Sequence, residues 1–256
     1  LVTAGASRKG EMAMTVTALD QGPDVAVQGG KPLGAALRIE LPQVAARHGF
    51  ARLAWEGETV FQPQPPTLAM GRARVSPPPG AFLQATTEGE GALVAAVREA
   101  LEGARRVADL FAGCGTFTLP LAETAEVHAV EGSPAMLAAL DDGWRGAPGL
   151  KRVTTEARDL FRRPLLADEL ARFDALVIDP PRAGAEAQMR ALAAARDAAP
   201  ATLAAVSCNP VTFARDAKIL LELGYRIDWV QVIDQFRWSP HVELAARLSR
   251  LHMPRG

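Results

Sequence analysis

Cys208 and Glu243 are the two side chains whose surroundings in the sequence favour covalent chemistry. Cys208 directly follows the apolar stretch 203–206 and is followed by Asn209 and Pro210, so the chain must turn at the end of a predicted strand. A turn that leads into a helix offers backbone N–H groups that favour a thiolate, which makes Cys208 a candidate nucleophile. Glu243 enters another apolar strand, where burial can raise the pKa of a carboxyl group enough for it to serve as a general base.

Both residues also have an ordinary structural interpretation. A free cysteine is usually a small buried hydrophobic residue, and this explanation suits Cys114, inside a glycine turn, better than Cys208. For Glu243, the residues alone favour a solvated charge at the end of a strand. His241 lies two residues earlier and can orient Glu243, contact a phosphate or cap a hairpin.

A strand, a glycine turn and a second strand ending in an acid form a candidate nucleotide site at 107–131. Gly113 and Gly115 allow the backbone to approach a ligand closely, and Glu131 can accept hydrogen bonds from the two hydroxyls of a ribose. The third glycine of the G-x-G-x-x-G pattern is missing, which argues against a dinucleotide. The pattern therefore favours an adenosine-containing cofactor, although a tight turn in any doubly wound sheet would look similar.

Alternating apolar strands and amphipathic helices predict a mainly parallel α/β sheet covered on both faces. The predicted strands are 107–111, 127–130, 153–155, 173–178, 202–207, 225–233 and 242–248, and the predicted helices are 90–101, 116–122, 133–140, 187–196 and 211–223. No helix separates the last two strands, so they should form an antiparallel hairpin. Ligands bind beyond the carboxyl ends of such strands, where the candidate residues converge.

The first 75 residues lack this alternation and predict a separate small α+β domain, with residues 76–256 forming the larger domain. Its predicted strands are 12–18, 24–27, 52–55, 59–62 and 68–75, and its predicted helix is 41–48. Two proline-rich breaks, at 62–67 and 76–80, bracket the last of these strands. We expect this domain to face RNA.

Four segments together closely resemble the RNA 5-methyluridine (uracil-C5) methyltransferases that act on ribosomal and transfer RNA. They are DLFAGCGTFTLP at 109–120, DPPRAGA at 179–185, VSCNPVTFARD at 206–216 and DQFRWSPHVE at 234–243. The resemblance implies a seven-stranded, Rossmann-like fold that uses S-adenosylmethionine, without a metal ion. It also implies that Cys208 adds to C6 of a uracil and that Glu243 removes the C5 proton. The OB-like RNA-binding domain and the four iron–sulfur cysteines of some relatives are not seen in this sequence.

The resemblance further implies a set of cofactor contacts. The residues that match the family's cofactor-binding positions are Gln84, Phe111, Gly113, Gly115, Thr116, Glu131, Asp159 and Asp179. Thr116 and Thr86 stand where relatives often have asparagine. A hydroxyl can still donate one hydrogen bond, so we expect weaker contacts at these two positions.

An RNA substrate is implied by the same resemblance, with 23S ribosomal RNA favoured over transfer RNA. The target uridine must leave its stack to reach Cys208, and Phe236 and Trp238 are candidates to stack on it or on its neighbours. The candidates for phosphate contact are Arg182, Arg215, Arg237 and His241. Solvated arginines and core aromatics are equally good interpretations of these side chains.

Composition limits the other possibilities. A net charge of −1 argues against a strongly basic surface, and two cysteines are too few for a disulfide framework, which suggests a cytoplasmic protein. No apolar run approaches the roughly 20 residues that span a bilayer. We expect a monomer.

The alternatives are an amine- or cytosine-directed methyltransferase and a silent RNA-binding module. Arg182 replaces the aromatic residue of the amine-directed D-P-P-Y motif, and the cytosine enzymes' acid-Pro-Cys pattern is missing.

Overall fold

The structure is a computed structural model of the chain and describes residues 11–236 and 238–250. Contacts divide the chain into two units. The first comprises Leu1–Ala69 and Arg74–Phe82, and the second comprises Met70–Ala73 and Leu83–Gly256.

The first unit is built on a four-stranded sheet with the order β1-β2-β3-β4. Its elements are β1 (Ala13–Leu19), β2 (Gly22–Gln28), α1 (Ala35–Arg47), β3 (Arg52–Trp55) and β4 (Glu58–Phe61). β2 and β3 run parallel, and the other two pairs are antiparallel. Leu41 of α1 packs with Leu53 and Trp55 in a core of its own.

The second unit is a seven-stranded sheet with the order β12-β13-β11-β10-β7-β8-β9. Its strands are β7 (Arg106–Leu110), β8 (Glu126–Glu131), β9 (Val153–Ala157), β10 (Ala175–Ile178), β11 (Thr202–Ser207), β12 (Arg226–Ile233) and β13 (Glu243–Ser249). The five strands from β7 to β11 are parallel. The closing hairpin of β12 and β13 adds two antiparallel pairings, so the predicted seven-stranded α/β sheet is confirmed.

Helices cover both faces of this sheet. They are α2 (Thr87–Ala100), α3 (Thr118–Leu121), α4 (Pro134–Arg145), α5 (Ala167–Leu170), α6 (Glu186–Ala195) and α7 (Pro210–Leu221), followed in the case of α6 by a 3₁₀ turn at Arg196–Ala198. Leu93, Val97 and Leu140 pack on one face, and Leu192 and Leu220 pack on the other. The chain order reverses between β7 and β10, which creates the switch point at which such sheets bind ligands.

Several element boundaries differ from the sequence-based expectations. The predicted strand 68–75 is two short strands, β5 (Leu68–Met70) and β6 (Ala73–Val75), because Gly71 turns the chain with φ of +58°. α1 starts six residues before the predicted helix 41–48 and contains Pro42, which sequence rules treat as a helix breaker. The predicted helix 116–122 is reduced to the single turn of α3.

Candidate active site

The strand register brings Cys208 and Glu243 to the same edge of the sheet. Ser207, the last residue of β11, pairs with Leu244 of the antiparallel strand β13. Cys208 follows Ser207 and Glu243 precedes Leu244, so both residues lie next to this matched pair, at the same end of the two neighbouring strands. On the other side of β11, Ile178 of β10 pairs with Ala205. The next residue, Asp179, therefore lies beside Val206.

Glu243 is a buried carboxyl group, which overturns its interpretation as a solvated charge at a strand end. Only 4% of its surface is exposed, and burial raises its pKa. Cys208 is half-buried. The sequence predicted that turn N–H groups would favour its thiolate, but burial and the negative charges of Glu243 and Asp179 raise the pKa of this thiol instead. The backbone hydrogen bond and Arg182 act in the opposite direction with smaller effect.

Two further carboxyl groups with raised pKa values lie at this end of the sheet. Burial, together with the charges of Glu243 and Asp109, raises the pKa of Asp179 to about 8. Asp109 in β7 is fully buried, and burial raises its pKa to about 7 although Thr118 Oγ1 donates to Oδ2 at 2.6 Å. Oδ1 of Asp109 has no hydrogen-bond partner among the described residues. The pKa values of both carboxyl groups therefore lie near neutral pH.

The turn that carries Cys208 is fixed by side chains on both sides of it. Ser207 Oγ accepts from the N–H of Asn209 at 3.1 Å. Asn209 is the N-cap of α7, and its Oδ1 accepts from the N–H of Val211 at 3.0 Å. Pro210 occupies the first helical position, where its missing N–H costs nothing. Cys208 thus lies between a strand end and a capped helix start, which limits the freedom of its backbone.

The loop after Asp179 is tied to α7 by hydrogen bonds to its backbone. Asn209 Nδ2 and Thr212 Oγ1 donate to the carbonyl of Arg182 at 3.1 and 3.2 Å. Arg215 donates to the carbonyl of Ala183 at 3.0 Å and also pairs with the carboxylate of Asp216. The guanidinium of Arg215, proposed from the sequence as a phosphate contact, therefore holds this loop in place.

Glu131 is oriented by two backbone donors at the tip of β8. Its Oε2 accepts from the N–H of Gly113 at 3.1 Å, and its Oε1 accepts from the N–H of Ser133 at 2.9 Å. Each oxygen keeps a second lone pair, which fits a contact to ribose hydroxyls. Gly113 has φ of +56°, and a Cβ built there would meet no atom within 4 Å, so open space lies above the turn. These residues fit an adenosine-containing cofactor without a phosphate cradle.

Phe111 and Asp159 both contact Phe161. Phe111 has a left-handed backbone with φ of +64°, and its ring lies 5.4 Å from the ring of Phe161. Asp159 is about half exposed; its carboxylate accepts from the N–H of Phe161 at 3.0 Å and lies 3.4 Å from Arg162. Together they form a partly apolar wall with one exposed carboxylate, which could accept from an adenine amine.

Gln84 and Thr86 are bound to Gln235, a residue that the sequence analysis did not single out. Gln84 Oε1 accepts from Gln235 Nε2 at 3.0 Å, and the N–H of Thr86 donates to Gln235 Oε1 at 3.2 Å. The hydroxyl of Thr86 caps α2 by accepting from Gly89 at 3.0 Å. This capping role differs from the expected cofactor contact at Thr86. Thr116 is half-buried in the glycine turn.

The loop that joins β12 to β13 exposes aromatic surface. Trp238 is 94% exposed. The ring of Phe236 lies 6.4 Å from the ring of His241 in an edge-on arrangement, and the N–H of His241 donates to Ser239 Oγ at 3.2 Å. Arg237, another candidate phosphate contact, lies outside the described residues.

Within residues 11–236 and 238–250, no group of three or more histidine, cysteine, aspartate or glutamate side chains is arranged to hold a metal ion. None of the helices in those ranges combines the length and the apolar character needed to cross a membrane.

Comparison with known proteins supports the sequence resemblance. The family model described as tRNA (Uracil-5-)-methyltransferase matches residues 147–251. An uncharacterized RNA methyltransferase of Mesorhizobium japonicum is 52% identical over 95% of this chain and 58% of its own length. A 23S rRNA (uracil(1939)-C(5))-methyltransferase of Chromohalobacter salexigens is 44% identical over 70% of this chain and 36% of its own. The resemblance to the uracil-C5 methyltransferase family is confirmed.

Two solved methyltransferase structures have a fold similar to that of this chain. The Pyrococcus abyssi tRNA (uracil-54, C5)-methyltransferase, in complex with S-adenosyl-L-homocysteine, has a TM-score of 0.67 and 23% identity, covering 92% of this chain and 59% of that one. The P. horikoshii TYW2 in complex with MeSAdo has a TM-score of 0.58 and 16% identity, covering 93% and 91%. This chain spans about three fifths of the length of two curated relatives that are 52% and 49% identical to it.

Proposed function

We propose that this chain catalyses S-adenosylmethionine-dependent methylation of C5 of a uridine in RNA. The observation that carries the proposal is the convergence of the Cys208 thiol and the buried Glu243 carboxyl group at matched strand ends. Uracil C5 is a poor nucleophile, and a thiol with a nearby base is the arrangement that activates it covalently.

Cys208 acts first in this mechanism. Its thiolate forms a bond to C6 of the uracil, and the electron pair of the C5–C6 double bond moves toward C5 and O4. S-adenosylmethionine, when bound, supplies the methyl group at an electrophilic sulfonium. C5 would bond to this methyl group as the methyl–sulfur bond breaks and its electron pair stays on sulfur, which would release S-adenosylhomocysteine. C5 would then be saturated and carry both the new methyl group and its original hydrogen.

Glu243 completes the cycle. It takes the C5 proton, the C–H electron pair re-forms the C5–C6 double bond, and the C6–S bond breaks to release the Cys208 thiolate. A raised pKa suits this role because the carboxylate becomes a stronger base as burial disfavours its charge. Asp179, with a pKa of about 8, supplies a protonated carboxyl group beside the reacting pair at neutral pH. We assign it to the methionine and base side of the site.

We assign the contacts with the cofactor to residues around the glycine turn. Glu131 holds the ribose, Gly113 and Gly115 give the cofactor access to the backbone, and Phe111 supplies an apolar wall. Asp159 is assigned to the adenine, with Gln84 and Thr116 as further polar contacts. The open space at Gly113 and the two backbone donors that orient Glu131 support this assignment.

Trp238 is the proposed RNA-stacking residue. An almost fully exposed tryptophan is unusual because burial of its ring is favourable, and this one lies in the loop that leads to Glu243. Base–aromatic stacking does not depend on a particular base, so the ring can support a neighbour of the flipped uridine. The favoured substrate is 23S ribosomal RNA, which is named for the Chromohalobacter relative. Transfer RNA is the second candidate, since the family model and the Pyrococcus abyssi enzyme carry that name.

Trapping with 5-fluorouridine RNA tests the proposed nucleophile. Fluorine cannot leave as the C5 proton does, so RNA and protein should remain covalently joined when cofactor is present, as seen by a shifted band on a denaturing gel. Cys208→Ala should abolish the band, whereas Cys114→Ala should retain it. Equal trapping by the Cys208→Ala protein would show that the nucleophile is misassigned. Parallel trapping on 23S and transfer RNA transcripts, with the modified site mapped, distinguishes the two substrates.

A further inference from the structure

Gln235 is a buried amide at the start of the loop between β12 and β13. Only 8% of its surface is exposed. Its two amide atoms have different partners, the backbone N–H of Thr86 and the side chain of Gln84. Both partners belong to the segment that leads into α2, far from Gln235 in sequence. The pair therefore joins the segment that carries Gln84 to the loop that carries Trp238.

The donor and acceptor roles of the Gln235 and Gln84 amides are fixed by the backbone N–H of Thr86. A backbone N–H can only donate, so the amide atom of Gln235 that faces Thr86 must be the oxygen. The nitrogen of Gln235 then faces Gln84 and can only donate, so Gln84 must present its own oxygen. The nitrogen of Gln84 is left as the group available to a ligand. The orientation of a glutamine amide is often ambiguous, and here one backbone donor resolves it for two residues.

The first turn of α2 is shaped to receive Gln235. A Cβ built on Gly89 would lie 2.4 Å from both Cγ and Cδ of Gln235 and 2.5 Å from its Oε1, so any larger residue would displace this side chain. The Thr86 cap holds the same turn by accepting from the Gly89 N–H at 3.0 Å. The side chain of Gln235 therefore occupies space that is free only because residue 89 is a glycine.

We propose that Gln235 is a positioning residue that fixes Gln84 as a hydrogen-bond donor toward the carboxylate of the cofactor's methionine part. This inference rests on the proposed cofactor role of Gln84. The chain of donors runs from the Thr86 N–H to Gln235, from Gln235 to Gln84, and from Gln84 to an acceptor oxygen. A carboxylate is the strongest acceptor that S-adenosylmethionine offers, and hydrogen bonds to charged groups are stronger than neutral ones.

Gln235→Glu is the test substitution because it keeps the shape and reverses the polarity. The introduced carboxylate accepts from Thr86 and presents its second oxygen to Gln84, which must then turn its nitrogen inward and its oxygen toward the ligand. We expect the Kd for S-adenosylhomocysteine, measured by calorimetry without RNA, to rise about tenfold or more. Gln235→Met leaves both orientations of Gln84 accessible and should raise the Kd about twofold.

A double-mutant cycle separates orientation from the added charge. Gln84→Met removes the donor, and adding Gln235→Glu to that protein should then change the Kd little, because the effect acts through Gln84. An equally large loss in the Gln84→Met background would overturn the proposal, as would unchanged binding by Gln235→Glu. Unchanged S-adenosylhomocysteine binding combined with weaker RNA binding would place the acceptor on the substrate and would also overturn it. Melting temperatures confirm that each variant is folded.

A failure of the proposed role of Gln235 can be distinguished from a failure of the proposed function. Binding of S-adenosylhomocysteine is measured without RNA, so it does not depend on which base or atom is methylated. Trapping by 5-fluorouridine RNA depends on Cys208 and proceeds at saturating cofactor even if Gln84 has the opposite orientation. Failure of one experiment therefore leaves the other informative.

Discussion

Ser207 and Leu244 are register partners in the antiparallel pair of β11 and β13, and this pairing fixes the positions of the residues that follow and precede them. Cys208 is the first residue after β11, and Glu243 is the first residue of β13. A shift of one residue in this register would turn Glu243 to the opposite face of the sheet. The proposed catalytic pair thus depends on the pairing of a hairpin whose last strand is inserted beside β11.

Glu243→Gln is expected to stop the reaction after methyl transfer. The amide cannot remove the C5 proton, so the C6–S bond to Cys208 persists and ordinary uridine RNA accumulates as a covalent adduct. Methylated product should fall by at least about a hundredfold, the usual contribution of a general base. Adduct and product are measured by denaturing gel and by mass spectrometry. The exposed Glu222 provides the control, and Glu222→Gln should show neither effect. Free methylated RNA at the normal rate from Glu243→Gln would contradict the assigned base.

The raised pKa of Cys208 predicts a strong pH dependence of its reactivity. Only the thiolate reacts with iodoacetamide, so below the pKa the rate should rise about tenfold per pH unit. Since burial, Glu243 and Asp179 all raise the pKa above the ordinary value, the rise should continue beyond pH 9. The measurement uses the Cys114→Ala protein, which leaves Cys208 as the reactive thiol. A plateau below pH 8 would show a thiolate favoured by the helix start.

Asp179→Asn should stabilise the fold as pH rises. The folded pKa of Asp179, about 8, lies above the ordinary value of 3.8 for this group, so its contribution to stability is fully present below that lower value. It is lost as pH rises toward the folded pKa, because the folded state must then hold a buried charge. Asparagine cannot ionise and avoids this loss. The melting temperature of the variant relative to the parent should therefore increase between pH 5 and pH 8, by about 2–4 °C for each kcal/mol. A difference independent of pH would contradict the titration, and methylation should fall in either case.

Trp238→Ala is expected to weaken RNA binding without changing the fold. Loss of one base stack costs about 1–3 kcal/mol, or roughly a fivefold to hundredfold rise in Kd. Trp238→Phe keeps a stacking face and should recover most of the affinity. S-adenosylhomocysteine binding and melting temperature should stay unchanged, since the ring is 94% exposed. Equal RNA affinity of all three proteins, measured by fluorescence anisotropy, would exclude the stacking role.

The sequence predicted the sheet well because its strands are continuous apolar runs and its helices have regular apolar faces. Cys208, Glu131 and Asp179 could be placed at strand ends for the same reason. The burial of Glu243 and the raised pKa of Cys208 depend on neighbours from other strands, which no local pattern reveals. Gln235 was missed because its partners are about 150 residues away. The capping role of Thr86 has a local signal, an N-cap residue directly before a helix, whereas the family resemblance predicted a cofactor contact at this position.

Gly113 and Gly115 provide a matched pair that separates ligand binding from folding. A Cβ at Gly115 would lie 3.0 Å from atoms of Leu119 and Leu140 at φ of +103°, so Gly115→Ala should lower the melting temperature clearly. A Cβ at Gly113 would meet no protein atom within 4 Å at φ of +56°, which Ala adopts at a cost of about 1–2 kcal/mol.

The Gly113→Ala methyl group instead occupies the space proposed for the cofactor. We therefore expect Gly113→Ala to weaken S-adenosylhomocysteine binding by about tenfold, with a smaller loss of stability than Gly115→Ala. Calorimetry and thermal melts on the two variants test this order. Normal binding by Gly113→Ala would show that the cofactor does not pass over this turn, because the added methyl group would then lie in solvent.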